Sequence, residues 1–142
     1  MRFVSERAWA VMTIWQEARG EIFDGKVAVG EVIVTRMTKR YSSDGTVEGT
    51  VLRPLQFSGW NTKDPNRISA ARLDTNDIAI VECDRAWTRA LAGSAFTKGA
   101  VLYCNLELLQ SINQVPPWIK ECREVARVGH HTFYVPKGKG WD

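Results

Sequence analysis

The residues best suited to chemistry lie in the run Trp15-Gln16-Glu17-Ala18-Arg19-Gly20-Glu21, where a glutamate falls near the end of an apolar-patterned helix. A carboxyl pressed against Trp15 and neighbouring apolar groups loses hydration, and that loss raises its pKa. An acid that keeps its proton near neutral pH can donate it to a leaving oxygen, the step that opens a glycosidic bond. Arg19 is expected to point away, because a cation close to Glu17 would pull the pKa back down. Glu21 shares the face of Glu17 if the helix continues, but Gly20 between them favours a turn. Glu21 is then a solvated turn residue or a partner for Arg19.

A second group of candidates sits on one loop. Gln56, Phe57, Ser58 and Trp60 offer an amide, a hydroxyl and aromatic rings, the combination that bonds sugar hydroxyls and stacks on their C–H faces. A buried Phe57 and a loop-closing Gln56 are the bland alternatives. Tyr103 and Tyr134 line a cleft or fill the core. His130 and His131 adjoin, so on a strand they point to opposite faces and cannot grip one metal together. His131 is expected to make a structural hydrogen bond or to line a cleft. Cys104 reads as packing rather than as a nucleophile. Of six tryptophans, Trp9, Trp15 and Trp87 fall on apolar helix faces, whereas Trp60, Trp118 and Trp141 have polar or Pro-rich surroundings. Trp118, after Pro116-Pro117, is the foremost of these for stacking on a sugar, with packing against the helix behind it the equal alternative. Arg36, at a helix end, caps carbonyls or pairs with a carboxylate.

These side chains need elements to carry them. Ser5 suits an N-cap, and Ala8, Trp9, Met12, Trp15 and Ala18 follow at helical spacing until Gly20 stops the helix. Asp24-Gly25 would cap a second helix over 26–39, whose Val and Ile content also permits a strand. Its length and its terminal basic residues favour the helix. The stretch 41–74 is polar and rich in Gly and Pro, a long loop of the sort that often carries function. Asn76 or Asp77 would cap a third helix ending at Gly93. Residues 100–104 and 132–135 look like short strands, with a short helical piece over 118–126. The expected class is α+β, mostly α, in a single domain over 1–142.

Composition narrows the field. The chain is 44% hydrophobic and 25% charged, ordinary for a globular domain. No stretch nears the roughly 18 consecutive apolar residues of a membrane helix, so stable membrane insertion is not expected. The first six residues carry charges where a signal peptide needs an apolar core, which predicts synthesis and retention in the cytosol. Three cysteines without a C-x-x-C pair read as reduced thiols, and no clustered Cys/His spacing suggests zinc. A net charge of +3 attracts anionic polymers mildly, but the basic residues are scattered, which argues against nucleic acid. A monomer is expected.

Several of these residues also carry a family resemblance. Glu17-Ala18-Arg19-Gly20-Glu21, then Gly25-Lys26-Val27-Ala28-Val29 and Arg36, resembles the catalytic domain of the spore-cortex-lytic and related cell-wall hydrolases. Gln56-Phe57-Ser58 is similar to that family's Q-F-S loop. Gly99-Ala100 with Tyr103 and Asn105 resembles its G-A strand, and Gly129-His130-His131-Thr132-Phe133-Tyr134 its terminal G-x-H-x-F-Y strand. The matches keep the family's order over about residues 8 to 136. Cys104 departs from the pattern, standing where relatives often carry an aromatic residue.

The resemblance implies a lysozyme-like fold, with peptidoglycan as the partner and Glu17 as the catalytic acid. Gln56, Phe57, Ser58, Tyr103, Asn105, Trp118, His131 and Tyr134 are the expected substrate contacts, with no metal or organic cofactor. The bond would be the β-1,4 link between N-acetylmuramic acid and N-acetylglucosamine. Attack by the muramoyl 6-hydroxyl makes a lytic transglycosylase, and attack by water a muramidase. A two-carboxylate hydrolase would need Glu21, Asp24 or Glu31 near Glu17. The expected setting is a phage or prophage lysis enzyme that reaches the wall after release. Two rivals remain: an amidase or peptidase acting on the stem peptide, and a non-catalytic glycan binder using Trp60 and Trp118.

Overall fold

The computed structural model describes residues 5–53, 56–60 and 77–141, with Ser58 described in its backbone only. Helix α1 spans Glu6–Ala18, and the Ser5 hydroxyl caps it by accepting the Ala8 N–H at 3.1 Å. Helix α2 spans Phe23–Lys39, starting three residues before the expected Lys26 and with no side-chain cap. Asp24 lies instead inside the first turn, where its charge suits the helix dipole. The β-branched α2 is a helix because it lies at the centre, with Val27, Ala28, Val29, Val32 and Ile33 all fully buried. Tertiary burial outweighs local strand propensity there.

Two further helices frame α2. The short α3, Val47–Val51, is capped by Thr46, whose hydroxyl accepts the Gly49 N–H at 2.9 Å. Helix α4, Ile78–Leu91, is capped by Asp77, whose carboxylate accepts the Ala79 N–H at 2.8 Å. Helices α2 and α4 approach closely at Gly30, where a Cβ would fall 2.8 Å from the Ala90 Cβ. Ile14, Val29, Ile33, Val51, Phe57 and Trp87 belong to the main core among these helices. No described helix is long and apolar enough to cross a membrane.

The chain then builds a small antiparallel sheet. Strand β1 is Leu102–Cys104, helix α5 is Leu106–Ser111, β2 is Cys122–Val128 and β3 is His131–Pro136. The strand order is β1-β3-β2, with Tyr103 opposite Phe133 and Cys104 opposite Thr132. Ala28 and Val32 of α2 pack on Ala100 and Phe133, fastening the sheet to the helices. The α+β, mostly α class expected from the sequence is the one observed.

One expected element is corrected. Only Pro117–Glu121 is helical, as a 3-10 turn, and the chain from Cys122 is strand. The reason is the hairpin: Val128 pairs with His131 across the two-residue turn Gly129-His130. Gly129, at φ +57, occupies the first central position, where tight hairpin turns favour glycine. The helices α3 and α5 were also not foreseen. All three cysteines are free thiols.

Candidate active site

Glu17 sits on the last turn of α1, beside the buried Gln16 and Ala18, and is half-buried in the wall of a cleft of about 570 Å³. The walls come from every layer of the fold. Arg36 extends from the end of α2, Tyr41 and Ser42 from the turn after it, and Gln56 from the loop before the 3-10 turn Ser58–Trp60. Leu102, Tyr103, Cys104 and Asn105 come from β1 and its exit, and Trp118 and His131 complete the lining, His131 from the strand paired with β1. Glu17 is the only carboxylate among the described residues lining this cleft.

The loop bearing Gln56 is tied down on both sides. Gln16 Nε2 donates to the Gly59 carbonyl at 3.1 Å, and Trp60 Nε1 donates to Thr13 Oγ1 at 2.8 Å. Arg36, 4% exposed, crosses behind it: Nε donates to the Val101 carbonyl at 2.7 Å and Nη1 to Gln56 Oε1 at 2.9 Å. A guanidinium has no acceptor, so the Gln56 oxygen must face Arg36 and its NH₂ is left for the cleft. Burial lowers the Arg36 pKa from the ordinary arginine value, while Tyr103, Tyr41 and Glu17 pull it back up. Arg36 thus braces the loop and feels the charge of Glu17.

Tyr103 is the second group that feels Glu17. Its hydroxyl is buried without a partner at full hydrogen-bond distance among the described residues. Burial first, and the charge of Glu17 second, push its pKa well above the ordinary tyrosine value, with Arg36 opposing. Tyr103 therefore stays a neutral donor facing the acid. Arg19 lies with its guanidinium 4.3 Å from the Trp15 ring centroid. Trp15 is absent from the described cleft walls, where Tyr103 is the aromatic side chain whose ionisation senses Glu17.

Beside the cleft, Glu21 leaves the helix and turns toward the β2–β3 turn. Its Oε1 accepts the His130 N–H at 2.6 Å and its Oε2 meets His130 Nδ1 at 2.6 Å. His131 Nδ1 stands 3.9 Å from Oε1 of the same carboxylate. The two histidines do not point to opposite faces, because His130 lies in the turn and only His131 is in the strand. Hydrogen bonds from His130 lower the Glu21 pKa against the opposing effect of burial, and Glu21 raises that of His130. Burial lowers the His131 pKa. No three His, Cys, Asp or Glu side chains among the described residues are arranged to hold a metal ion.

Of the expected substrate contacts, Gln56, Tyr103, Asn105, Trp118 and His131 lie in the cleft walls with Glu17. Two others do not. Phe57 is 1% exposed in the main core, below Arg36, so it shapes the loop from inside. Tyr134 is 3% exposed and supports the wall from behind, its ring 5.3 Å from that of Trp118. The Ser58 side chain lies outside the described residues, as do 61–76 of the long loop. Trp60 packs edge-on to Trp9 at 5.1 Å and serves the loop rather than an exposed sugar platform. Trp141 packs against Tyr41 and Lys39.

The three alternative carboxylates are accounted for. Glu21 is engaged by His130, Asp24 is exposed at the start of α2, and Glu31 is buried beneath residues 94–97. Sequence reasoning missed Tyr41, Ser42 and Leu102 as cleft walls and left Arg36 without a place. The Cys104 thiol does line the cleft, but burial raises its pKa, which suits packing rather than attack.

The profile of the family described as Cell Wall Hydrolase matches residues 20–134. The chain is 27% identical over 124 residues to the spore cortex-lytic enzyme of Bacillus subtilis, covering 84% of this chain and 34% of that protein. It is 29% identical over 120 residues to the spore cortex-lytic enzyme of Halalkalibacterium halodurans, covering 84% and 32%. The chain thus spans about a third of the length of these relatives. The catalytic domain of the germination-specific lytic transglycosylase SleB from Bacillus anthracis superposes with a TM-score of 0.71 at 25% identity, covering 92% of this chain and 93% of that one. The catalytic domain of the Bacillus cereus SleB protein has a TM-score of 0.72 at 24% identity, covering 95% and 94%, a likeness of fold.

Proposed function

We propose, for a chain that belongs to the cell wall hydrolase family, that the cleft cuts the β-1,4 bond between N-acetylmuramic acid and N-acetylglucosamine as a lytic transglycosylase. The observation carrying this reading is the single carboxylate among the described cleft walls. Inverting hydrolysis needs a second carboxylate to activate water, and retaining hydrolysis needs one as nucleophile about 5 Å away. A lone acid suits a reaction in which the substrate supplies its own nucleophile.

The steps follow from that arrangement. Glu17 protonates the glycosidic oxygen, the C1–O bond breaks with its electrons on that oxygen, and positive charge builds on the muramoyl ring. Glu17, now a carboxylate, takes the proton of the muramoyl 6-hydroxyl as that oxygen bonds to C1. The product is a 1,6-anhydro ring, and Glu17 ends protonated as it began. Arg36 and the neutral Tyr103 hydroxyl favour the carboxylate formed midway. The likeness to the Bacillus anthracis lytic transglycosylase domain supports the same reading.

Mass analysis of muropeptides released from purified sacculi tests it. Anhydro products, lighter by one water than those of a hydrolytic lysozyme, are expected. Hydrated reducing ends would make the enzyme a muramidase, and new free amino groups with intact glycan would make it an amidase or peptidase. The setting is proposed as that of a lysis enzyme made in the cytoplasm and acting on the wall after release. Cells expressing it should stay intact until their membrane is permeabilised, and lysis without permeabilisation would contradict that setting.

A further inference from the structure

Glu21 is held more firmly than a turn residue requires. Besides its two 2.6 Å contacts to His130, its main-chain carbonyl accepts from Lys26 Nζ at 2.8 Å, and Lys26 also pairs with Glu82 at 3.0 Å. Gly129 leaves room for it, since a Cβ there would lie 2.5 Å from Glu21 Oε1. The carboxylate is therefore fixed against the turn that delivers His131 to the cleft.

His131 itself is incomplete. Its Nδ1 is buried and has no hydrogen-bond partner among the described residues, yet it lies 3.9 Å from Glu21 Oε1. A carboxylate only accepts, so it favours the imidazole tautomer with hydrogen on Nδ1. Burial keeps the ring neutral, and the lone pair then resides on Nε2. The ring lines the cleft with Glu17 and lies 4.9 Å from the Tyr103 ring. Beside it the cleft offers a donor, the Gln56 amide NH₂, whose oxygen is taken by Arg36. A lone pair on Nε2 accepts from a donor such as a hydroxyl and has nothing to give an acyl oxygen.

We propose that Glu21 is a positioning residue that fixes His131 in the Nδ1–H tautomer, so that His131 Nε2 accepts a hydrogen bond from a sugar hydroxyl in the cleft. The sugar in this assignment rests on the glycan-cleaving reading above; the tautomer does not.

Long-range ¹H–¹⁵N NMR of the ¹⁵N-labelled chain reads the tautomer directly, before any substrate is added. Nδ1–H is expected at His131, and Nε2–H would overturn the proposal. In Glu21→Gln the His131 signal should move toward Nε2–H, with kcat down about tenfold or more, as when a histidine loses its orienting carboxylate. An unchanged tautomer in folded Glu21→Gln would also overturn it, leaving Glu21 a mere brace. Should Glu21→Gln not fold, His130→Ala serves, since it keeps both Glu21 and His131. It should retain Nδ1–H and activity within about threefold of the parent, because the main-chain N–H at position 130 still holds Glu21 Oε1, and a tautomer switch there would show that the Glu21 carboxylate does not by itself fix the ring and would sink the proposal. A chain with Nε2–H that still cuts glycan refutes only this inference. A chain with Nδ1–H that cuts none refutes the function instead.

Discussion

Replacing Glu31 by Gln separates a structural carboxylate from a catalytic one. Glu31 is 1% exposed on α2, and its two oxygens are fully used by the loop ahead of β1. They accept the Ala95, Phe96 and Thr97 N–H groups at 2.9, 3.1 and 3.0 Å, and the Thr97 and Ser94 hydroxyls at 2.8 and 3.2 Å. Glutamine keeps one oxygen and puts an NH₂ where the other accepted, so a donor such as Ala95 N–H faces another donor. A hydrogen bond to a charged acceptor is worth about 1.5–3 kcal/mol, and a donor left unmet costs about 1–3 kcal/mol. Ala95 is exposed and water can serve it, so the lower values apply and the loss is about 3 kcal/mol. With a urea m-value of about 2 kcal/mol/M, the unfolding midpoint should fall by about 1.5 M at unchanged m. The folded variant should still cut peptidoglycan, because Glu31 lies outside the described cleft walls. A midpoint unmoved within about 0.3 M together with abolished cleavage would mean that Glu31 acts as a second carboxylate, and the reasoning would fail.

Other outcomes follow from the same geometry. Phe57→Ala should destabilise the fold by about 3–5 kcal/mol in denaturant titration, as core truncations of this size do; a loss under about 1 kcal/mol would put Phe57 on the surface. Trp118→Ala should raise KM for glycan strands more than it lowers kcat, and unchanged steady-state kinetics would remove Trp118 from the binding wall. The Glu21–His130 pair makes stability depend on pH. The raised His130 pKa contributes stability that is complete below the unfolded value of 6.5 and fades as pH rises through the folded one. The lowered Glu21 pKa contributes stability present above 4.5 and lost as pH falls through its folded value. His130→Ala should therefore lower the thermal midpoint most between these limits and least at alkaline pH, and a uniform drop across pH would contradict the ion pair.

How much of this was legible beforehand depends on the range of the interactions involved. The caps Ser5 and Asp77 were readable because a cap is a contact with a neighbour two or three residues on. The start of α2 was not, since no side chain caps Ile22. Strand β2 was missed because Cys122–Val128 owes its state to pairing with β3, which only the Gly129-His130 turn hinted at. In the site, residue types pointed to Glu17, Gln56 and His131, and their shared cleft emerges only from tertiary structure. Phe57 and Tyr134 show the limit of that reasoning: aromatic rings within functional motifs can face inward and set the wall from behind. Arg36 was anticipated as a partner for carbonyls or carboxylates, but nothing local showed that its partners would be Val101 and Gln56, 65 and 20 residues away.

The central claim is tested most directly by turnover of purified peptidoglycan by Glu17→Gln, with folding verified by an unchanged unfolding midpoint. The amide keeps the shape of the side chain and has no proton of the required acidity to give. The account predicts that release of anhydro-muropeptides falls by at least about 100-fold, the scale of a lost general acid. Release at the parental rate from the folded variant would contradict it.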